Sequence, residues 1–316
     1  MSVRETRGAV SSSRAELPRH ELIGPAEAPV VLALGGISAD AHVCAHDEDP
    51  RDGWWEGIVG SGRAIDPRGV RVLGVDYLDA GVRADGRPAG IVTTHDQADA
   101  IARTLDLRGI EAVSAIVGAS YGGMVALSFA ERFPERVERL VVIGAADFSD
   151  TRATAWRIIQ RRTVELGLET GRAHDAIMIA RALAMTTYRS REELERRFQG
   201  EPVLSANDAA FPVESYLRHN GERFADRFTA AHFLALSLSS DLHRVEPKRI
   251  VTPTTLVAEE GDLLVPREQL EQLARALAGP SELVDLRSDH GHDAFLTEPE
   301  RLGAILDHAL FTVAQP

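Results

Sequence analysis

Residues 118–123 read Gly-Ala-Ser-Tyr-Gly-Gly. They follow the apolar run 112–117 and lead into Met124-Val125-Ala126-Leu127, an apolar stretch with helical spacing. A serine so placed sits at the apex of a sharp strand-to-helix turn, whose strained backbone lifts its hydroxyl above a sheet. Gly118 and Gly122 lack the Cβ atoms that would collide across so tight a turn. A G-x-S-x-G pattern alone arises by chance. The strand before it and the helix after it give it weight, and they require a chain in which strands and helices alternate.

That alternation is present. Strand-like runs occur at 29–34, 70–76, 112–117, 140–143, 250–257 and 282–286. From residue 70 onward they are separated by helical patterns or longer insertions, the signature of a parallel sheet covered on both faces. One helix is expected to start at Thr94, with Gln97 completing a capping box, and to run through Ala98, Ile101, Ala102 and Leu105 to a stop at Gly109. Between Asp150 and about Asp241 strand signals vanish, and residues 156–159, 176–185 and 192–198 read as helices. Because strands resume at Ile250, this stretch is an insertion over the sheet and not a separate domain. The expected division is a loose arm at 1–20, a core at 21–149 and 242–316, and a helical lid at 150–241. The lid follows the strand beside the serine turn, so it would roof the site.

The composition fits a soluble globular chain, at 44% hydrophobic and 26% charged residues. No run of apolar residues is long enough to span a membrane. The first residues carry Arg4, Arg7 and Arg14 with no apolar stretch behind them, so a secretory signal is not expected. One cysteine, Cys44, allows no internal disulfide and suits a reducing cytoplasm. A net charge of −13 argues against nucleic-acid binding. The charge is uneven: residues 151–240 hold thirteen arginines, no lysine and eleven acids. That excess of cations is either a balanced helical surface or a face turned toward an anionic substrate.

In chains built on this turn the partners of the serine follow in the order acid, then histidine. After the run 250–257 comes Ala258-Glu259-Glu260-Gly261-Asp262-Leu263-Leu264-Val265-Pro266, from which Asp262 is the expected acid, with Glu259 and Glu260 as nearer alternatives. The histidine is sought in Asp289-His290-Gly291-His292-Asp293-Ala294-Phe295. His292 is preferred, because it follows a glycine and leads into an apolar run. His290 reads as a solvated loop residue, and His20, His174 and His308 as surface. Neutral His292 would take the proton of Ser120 as its oxygen attacks an acyl carbonyl, and Asp262 would stabilise the imidazolium. The oxyanion needs two backbone donors, expected from Tyr121, the residue after the serine, and from Ile37 in Gly35-Gly36-Ile37-Ser38. Losing one such donor costs roughly 3 kcal/mol of transition-state stabilisation. His42, Cys44 and His46 would share a face of an extended segment, but no fourth metal ligand is apparent. No metal is expected, and Cys44 reads as a small buried hydrophobe. Trp54 and Trp55 either line a pocket or pack under a loop, packing being the commoner use.

Further stretches make the chain resemble homoserine O-acyltransferases of the α/β-hydrolase superfamily. They are Gly53-Trp54-Trp55-Glu56, residues 118–123 and Ile179-Ala180-Arg181-Ala182-Leu183-Ala184-Met185-Thr186-Thr187-Tyr188-Arg189-Ser190. Ser215-Tyr216-Leu217 with Gly221, Ser240-Asp241-Leu242-His243-Arg244-Val245 and residues 291–296 complete the set. The likeness runs from about residue 29 to 300, and it implies an α/β-hydrolase fold with a helical lid. It implies that Arg181 holds the α-carboxylate of homoserine and Asp293 its α-ammonium, with Tyr188 in the same substrate site. It also implies an acyl-CoA co-substrate with no other cofactor, a role in methionine biosynthesis, and a homodimer built through the lid. The glycine-rich stretch usual in acetyl-transferring members is cut to residues 77–83, and the elbow reads Ala-Ser-Tyr. Residues 35–39 and 241–245 look more like the succinyl-transferring branch, so succinyl-CoA is the expected donor. Several lid arginines could read a succinyl carboxylate. Acetyl transfer, serine as acceptor, a plain esterase or amidase, and a non-catalytic receptor on the same scaffold remain open at this point.

Overall fold

In the computed structural model, which describes residues 17–311, the apolar runs become the middle of a seven-stranded sheet. The strands are β1 (His20–Ile23), β2 (Val30–Leu34), β3 (Arg71–Val75), β4 (Ala115–Ala119), β5 (Leu140–Ile143), β8 (Thr254–Glu259) and β9 (Ser281–Leu286). Their order is β1-β3-β2-β4-β5-β8-β9, and all pairs are parallel except β1 with β3. Every residue of β2, β4 and β5 is buried. This is why these runs are continuously apolar and do not alternate: helices cover both faces of a parallel sheet.

On one face, α1 (Thr94–Leu107) and α2 (Tyr121–Arg132) supply Ile101, Leu105, Val125 and Leu127 to an apolar layer against Leu32, Leu73 and Ile116. On the other face α10 (Pro299–Phe311) brings Leu302 and Leu306 against Val31, Val117 and Ile143. The chain leaves β3 at one side of β2 and returns as β4 at the other, so the strand order reverses between them. Ligands of open α/β sheets bind in the crevice at the carboxyl ends of such a reversal, and Ser120 follows the last residue of β4.

Helices α3 (Thr151–Glu169), α4 (Ala173–Tyr188), α5 (Arg191–Arg197), α6 (Pro212–Ala225) and α7 (Ala230–Leu242) lie between β5 and β8. Val164, Ile177, Phe224, Phe233 and Leu234 form a small apolar cluster of their own within this insertion. The remaining helices are α8 (Arg267–Ala276) and the short α9 (Ala294–Thr297). Among the described residues no helix is long and apolar enough to cross a membrane.

Three sequence expectations need correction. The expected arm at 1–20 lies outside the described residues as far as 16, but His20 already begins β1. This four-residue edge strand is only partly buried, too short to carry a pattern. The lid is not wholly helical: β6 (Val203–Leu204) and β7 (Ala209–Ala210) pair as an exposed hairpin. The cap of α1 is Thr93 with Asp96, not Thr94 with Gln97. Both displaced residues are committed to tertiary bonds. The Gln97 amide holds both backbone groups of Leu78, at 2.8 and 3.0 Å, and the Thr94 hydroxyl lies 2.9 Å from Nδ1 of His243.

Candidate active site

Ser120 is, among the described residues, the one non-glycine with positive φ, at φ 54 and ψ −120. Such a backbone persists only where its surroundings over-determine it. Here the N–H of Ser120 donates to the carbonyl of Ile143 on β5, and the N–H of Gly122 donates to that of Gly35 after β2. The glycines of the turn are steric necessities. A Cβ at Gly118 would come 2.4 Å from the oxygen of Gly122, and one at Gly122 would come 2.3 Å from that of Leu34.

The imidazole of His292 joins this serine to Asp262. Nδ1–H donates to Oδ2 of Asp262 at 2.7 Å, which leaves Nε2 to accept from the Ser120 hydroxyl at 2.8 Å. Asp262 lies just beyond the end of β8. Its other oxygen accepts from the N–H groups of Leu264 and Val265, so the carboxylate cannot swing away. Burial disfavours an imidazolium at His292, but the charge of Asp262 and its hydrogen bond outweigh this and raise the ring above its ordinary value. Three residues separated by up to 172 positions thus meet at one sheet edge.

The N–H of Tyr121 opens α2, where helices leave donors unused. Among the described residues no backbone carbonyl accepts from it or from the N–H of Ile37. Both residues line the pocket above Ser120. The Tyr121 ring points away and is buried against Tyr77 at 4.8 Å, edge to face. Burial pushes its phenol up to about 12. The hydroxyl of Tyr77 donates to the carbonyl of Gly35 at 2.5 Å, which fixes the start of the loop that carries Ile37.

The lid supplies the far wall. Arg181, Tyr188 and Asp293 all line the pocket with Ser120 and His292. The Arg181 guanidinium lies over the rings of Tyr188 and Phe224, 5.1 and 4.9 Å from their centroids. Among the described residues it meets no carboxylate. Asp293, by contrast, is already paired through Oδ2 with Arg189 at 3.1 Å. Sequence reasoning missed Arg189, although it stands in the same Thr-Tyr-Arg stretch. It also left Arg157 unchosen among the lid arginines. Arg157 lines the pocket and shares Asp241 with Arg161, each at 2.6 Å.

Some of the other residues singled out in the sequence take the expected places and some do not. Trp54 lines the pocket, whereas Trp55 is buried beneath it and donates its indole N–H to the carbonyl of Phe295 at 3.0 Å. His290 is only partly solvated, with Nδ1 3.0 Å from Glu193 of α5. His20 sits in β1, where Nε of Arg108 donates to it at 2.7 Å. Cys44 is a small buried hydrophobe, as expected, packed in the apolar layer under α10. His42 and His46 meet Glu21 of β1. His42 donates one ring N–H to Glu21 and the other to the carbonyl of Arg51, both at 2.8 Å, the geometry of an ion pair. Of the alternative acids, Glu259 lies close to the triad, with Oε2 3.7 Å from Nδ1 of His292.

The alpha/beta hydrolase fold family matches residues 29–299 of this chain. The homoserine O-succinyltransferase of Xanthomonas campestris pv. campestris is 43% identical, across 94% of this chain and 79% of that protein. The homoserine O-acetyltransferase of Thermus thermophilus is 34% identical, across 88% of this chain and 80% of the relative. Among solved structures, the homoserine O-acetyltransferase of Bacillus anthracis superposes with a TM-score of 0.83 at 16% identity, covering 94% of this chain and 92% of that one. Esterase E22 superposes at 0.80 with 22% identity, covering 92% of this chain and 93% of that one. At such low identity these two structures establish the fold alone. With the two sequence relatives spanning nearly all of its length, the chain belongs to the homoserine O-acyltransferases of the alpha/beta hydrolase fold.

Proposed function

We propose that the protein transfers a succinyl group from succinyl-CoA to the hydroxyl of L-homoserine, with Ser120, His292 and Asp262 as the reacting groups. Nε2 of His292 takes the Ser120 proton as the serine oxygen attacks the thioester carbonyl. The backbone N–H groups of Tyr121 and Ile37 face the oxygen that gains charge. The proton then passes from His292 to the departing thiol, leaving a succinyl ester on Ser120. Homoserine enters, its hydroxyl gives a proton to His292, and its oxygen attacks the ester. Collapse of the second tetrahedral intermediate returns the proton to Ser120. A pocket roofed by the lid limits water, which would otherwise hydrolyse the acyl-enzyme.

The observation that carries the acceptor assignment is the bare guanidinium of Arg181. Of the arginines lining this pocket, Arg157 pairs with Asp241 and Arg227 with Asp40, whereas Arg181 has two aromatic faces and no carboxylate among the described residues. Its fork is therefore free for a substrate α-carboxylate, in two parallel charge-assisted bonds. Asp293 keeps Oδ1 for the α-ammonium, and Tyr188 stacks beside both groups, its ring 5.8 Å from that of His292. The donor assignment is supported by the 43% identity to a succinyl-transferring relative. The test is thiol release from succinyl-CoA and acetyl-CoA, each with L-homoserine and L-serine. Release that depends on homoserine and prefers succinyl-CoA supports the proposal, and release indifferent to any amino acid makes the enzyme an esterase.

The same reading places the enzyme in the cytoplasm, where acyl-CoA is made, as a step toward methionine. It also makes the enzyme a homodimer joined through the lid. Ile158, Ile159 and Leu166 on α3, with Ile179 on α4, are exposed by about half or more. An apolar face of this kind marks an interaction surface. Sedimentation at micromolar concentration reads the assembly state directly, and a monomer would refute the dimer.

A further inference from the structure

Glu259 ends β8 with its side chain fully buried. Oε1 accepts from the N–H of Phe295 at 2.8 Å, a donor in the first turn of α9 that the helix itself leaves unused. Oε2 has no hydrogen-bond partner among the described residues and stands 3.7 Å from Nδ1 of His292. The backbone makes room for it: Gly144 has φ +55, and a Cβ there would come 2.4 Å from Oε2. A buried carboxyl with no arginine or lysine against it is costly, and the acyl transfer derived above makes no use of it.

We propose that Glu259 is a positioning residue for His292, a second carboxyl that accepts the Nδ1–H when Asp262 cannot. The inference rests on Ser120, His292 and Asp262 being the reacting groups. Two carboxyls then address one ring nitrogen, Asp262 at 2.7 Å and Glu259 at 3.7 Å. Asp262 accepts two further N–H bonds and Glu259 only one, so the negative charge resides on Asp262. Burial, and then the charge of Asp262, push the Glu259 carboxyl well above its usual range. Asp293, whose partner is Arg189, adds to that rise, while Arg157 opposes charge on the imidazole. With the charge at 262 gone that second cause goes too, and Glu259 loses its proton by way of the imidazole, which lines the open pocket. Its carboxylate then receives the Nδ1–H after closing a gap of about 1 Å.

The test is the rate at which a fluorophosphonate phosphonylates Ser120, with loss of fluoride. That rate reports the nucleophile irrespective of the acyl group or acceptor the enzyme uses. E259Q, the shape of the neutral acid, is expected to react within about threefold of the unaltered enzyme, and D262N about 100-fold slower. The double variant D262N/E259Q is expected to lose the roughly 10,000-fold that follows when a triad acid is neutralised without replacement. A purely structural role for Glu259, through Phe295, would slow E259Q and the double variant by the same factor over their parents. That result, or D262N equal to the double variant, overturns the inference. Should the double variant not fold, proton NMR of D262N decides. A downfield Nδ1–H resonance persists if Glu259 accepts from the ring, and its loss overturns the idea. An unaltered enzyme that is phosphonylated but transfers no acyl group defeats the acyl-transfer reading and leaves this one intact.

Discussion

His243 donates its Nε2–H to the carbonyl of Ala146 at 3.0 Å, tying the end of the lid to the segment that leaves β5. Its Nδ1 accepts from the hydroxyl of Thr94, which in turn accepts from Ser128 at 2.8 Å. The ring is therefore a buried neutral tautomer, and burial lowers it to about 3. The unfolded chain takes up this proton near the ordinary value of about 6.5, and the folded chain does not until about 3. Stability from His243 is complete above the unfolded value. It declines as pH falls through that window, at roughly 1.4 kcal/mol per unit. The difference in urea midpoint between the unaltered protein and H243Q should shrink steadily on acidification. A difference that does not vary with pH would contradict this account.

In the proposed reaction His292 acts as a neutral base, and its ring is held above the ordinary histidine value. The rate of acyl-enzyme formation should therefore rise with pH along a limb whose midpoint lies above about 6.5. Pre-steady-state thiol release against pH gives that midpoint. A limb below the ordinary value would mean that burial, not Asp262, governs the ring.

Removing the free fork of Arg181 should affect the second half of the reaction. R181Q is expected to raise KM for homoserine by about 10- to 100-fold, the span of a charged hydrogen bond at 1.5–3 kcal/mol. Single-turnover acylation of Ser120 should be unchanged. R181K should recover part of the loss, because a point charge replaces a bidentate fork. Equal damage to acylation would place Arg181 on the donor side.

The elbow glycine should tolerate no side chain. G122A forces a Cβ to within 2.3 Å of the Leu34 carbonyl, backbone against backbone. A destabilisation of at least about 2–3 kcal/mol in denaturant is expected. A variant as stable as the parent would show that the turn can open, and would remove the case for a strained Ser120.

How much of this was legible beforehand depended on how local each signal was. The elbow could be read because its strand, glycines and helix are contiguous. Asp262 and His292 could be read because each follows a strand or precedes an apolar turn in a known order. The α1 cap was misplaced by one residue because Thr93 and Thr94 are equivalent as hydroxyls, and only the contact with His243 separates their uses. β1 carries no pattern of its own and exists because β3 offers an edge.

The sequence by itself determined the alternation of buried strands and helices, the strained serine turn, and which histidine and aspartate come to lie in line with that serine, since these follow from spacing and side-chain chemistry along the chain. Tertiary structure alone decided which charges are spent and which are free. Arg189 is taken by Asp293 and Arg157 by Asp241, Arg181 is left to the pocket, and Glu259 is shut beside the imidazole. Such pairings depend on distances between residues far apart in the chain, and electrostatic energy is set by those distances and by burial.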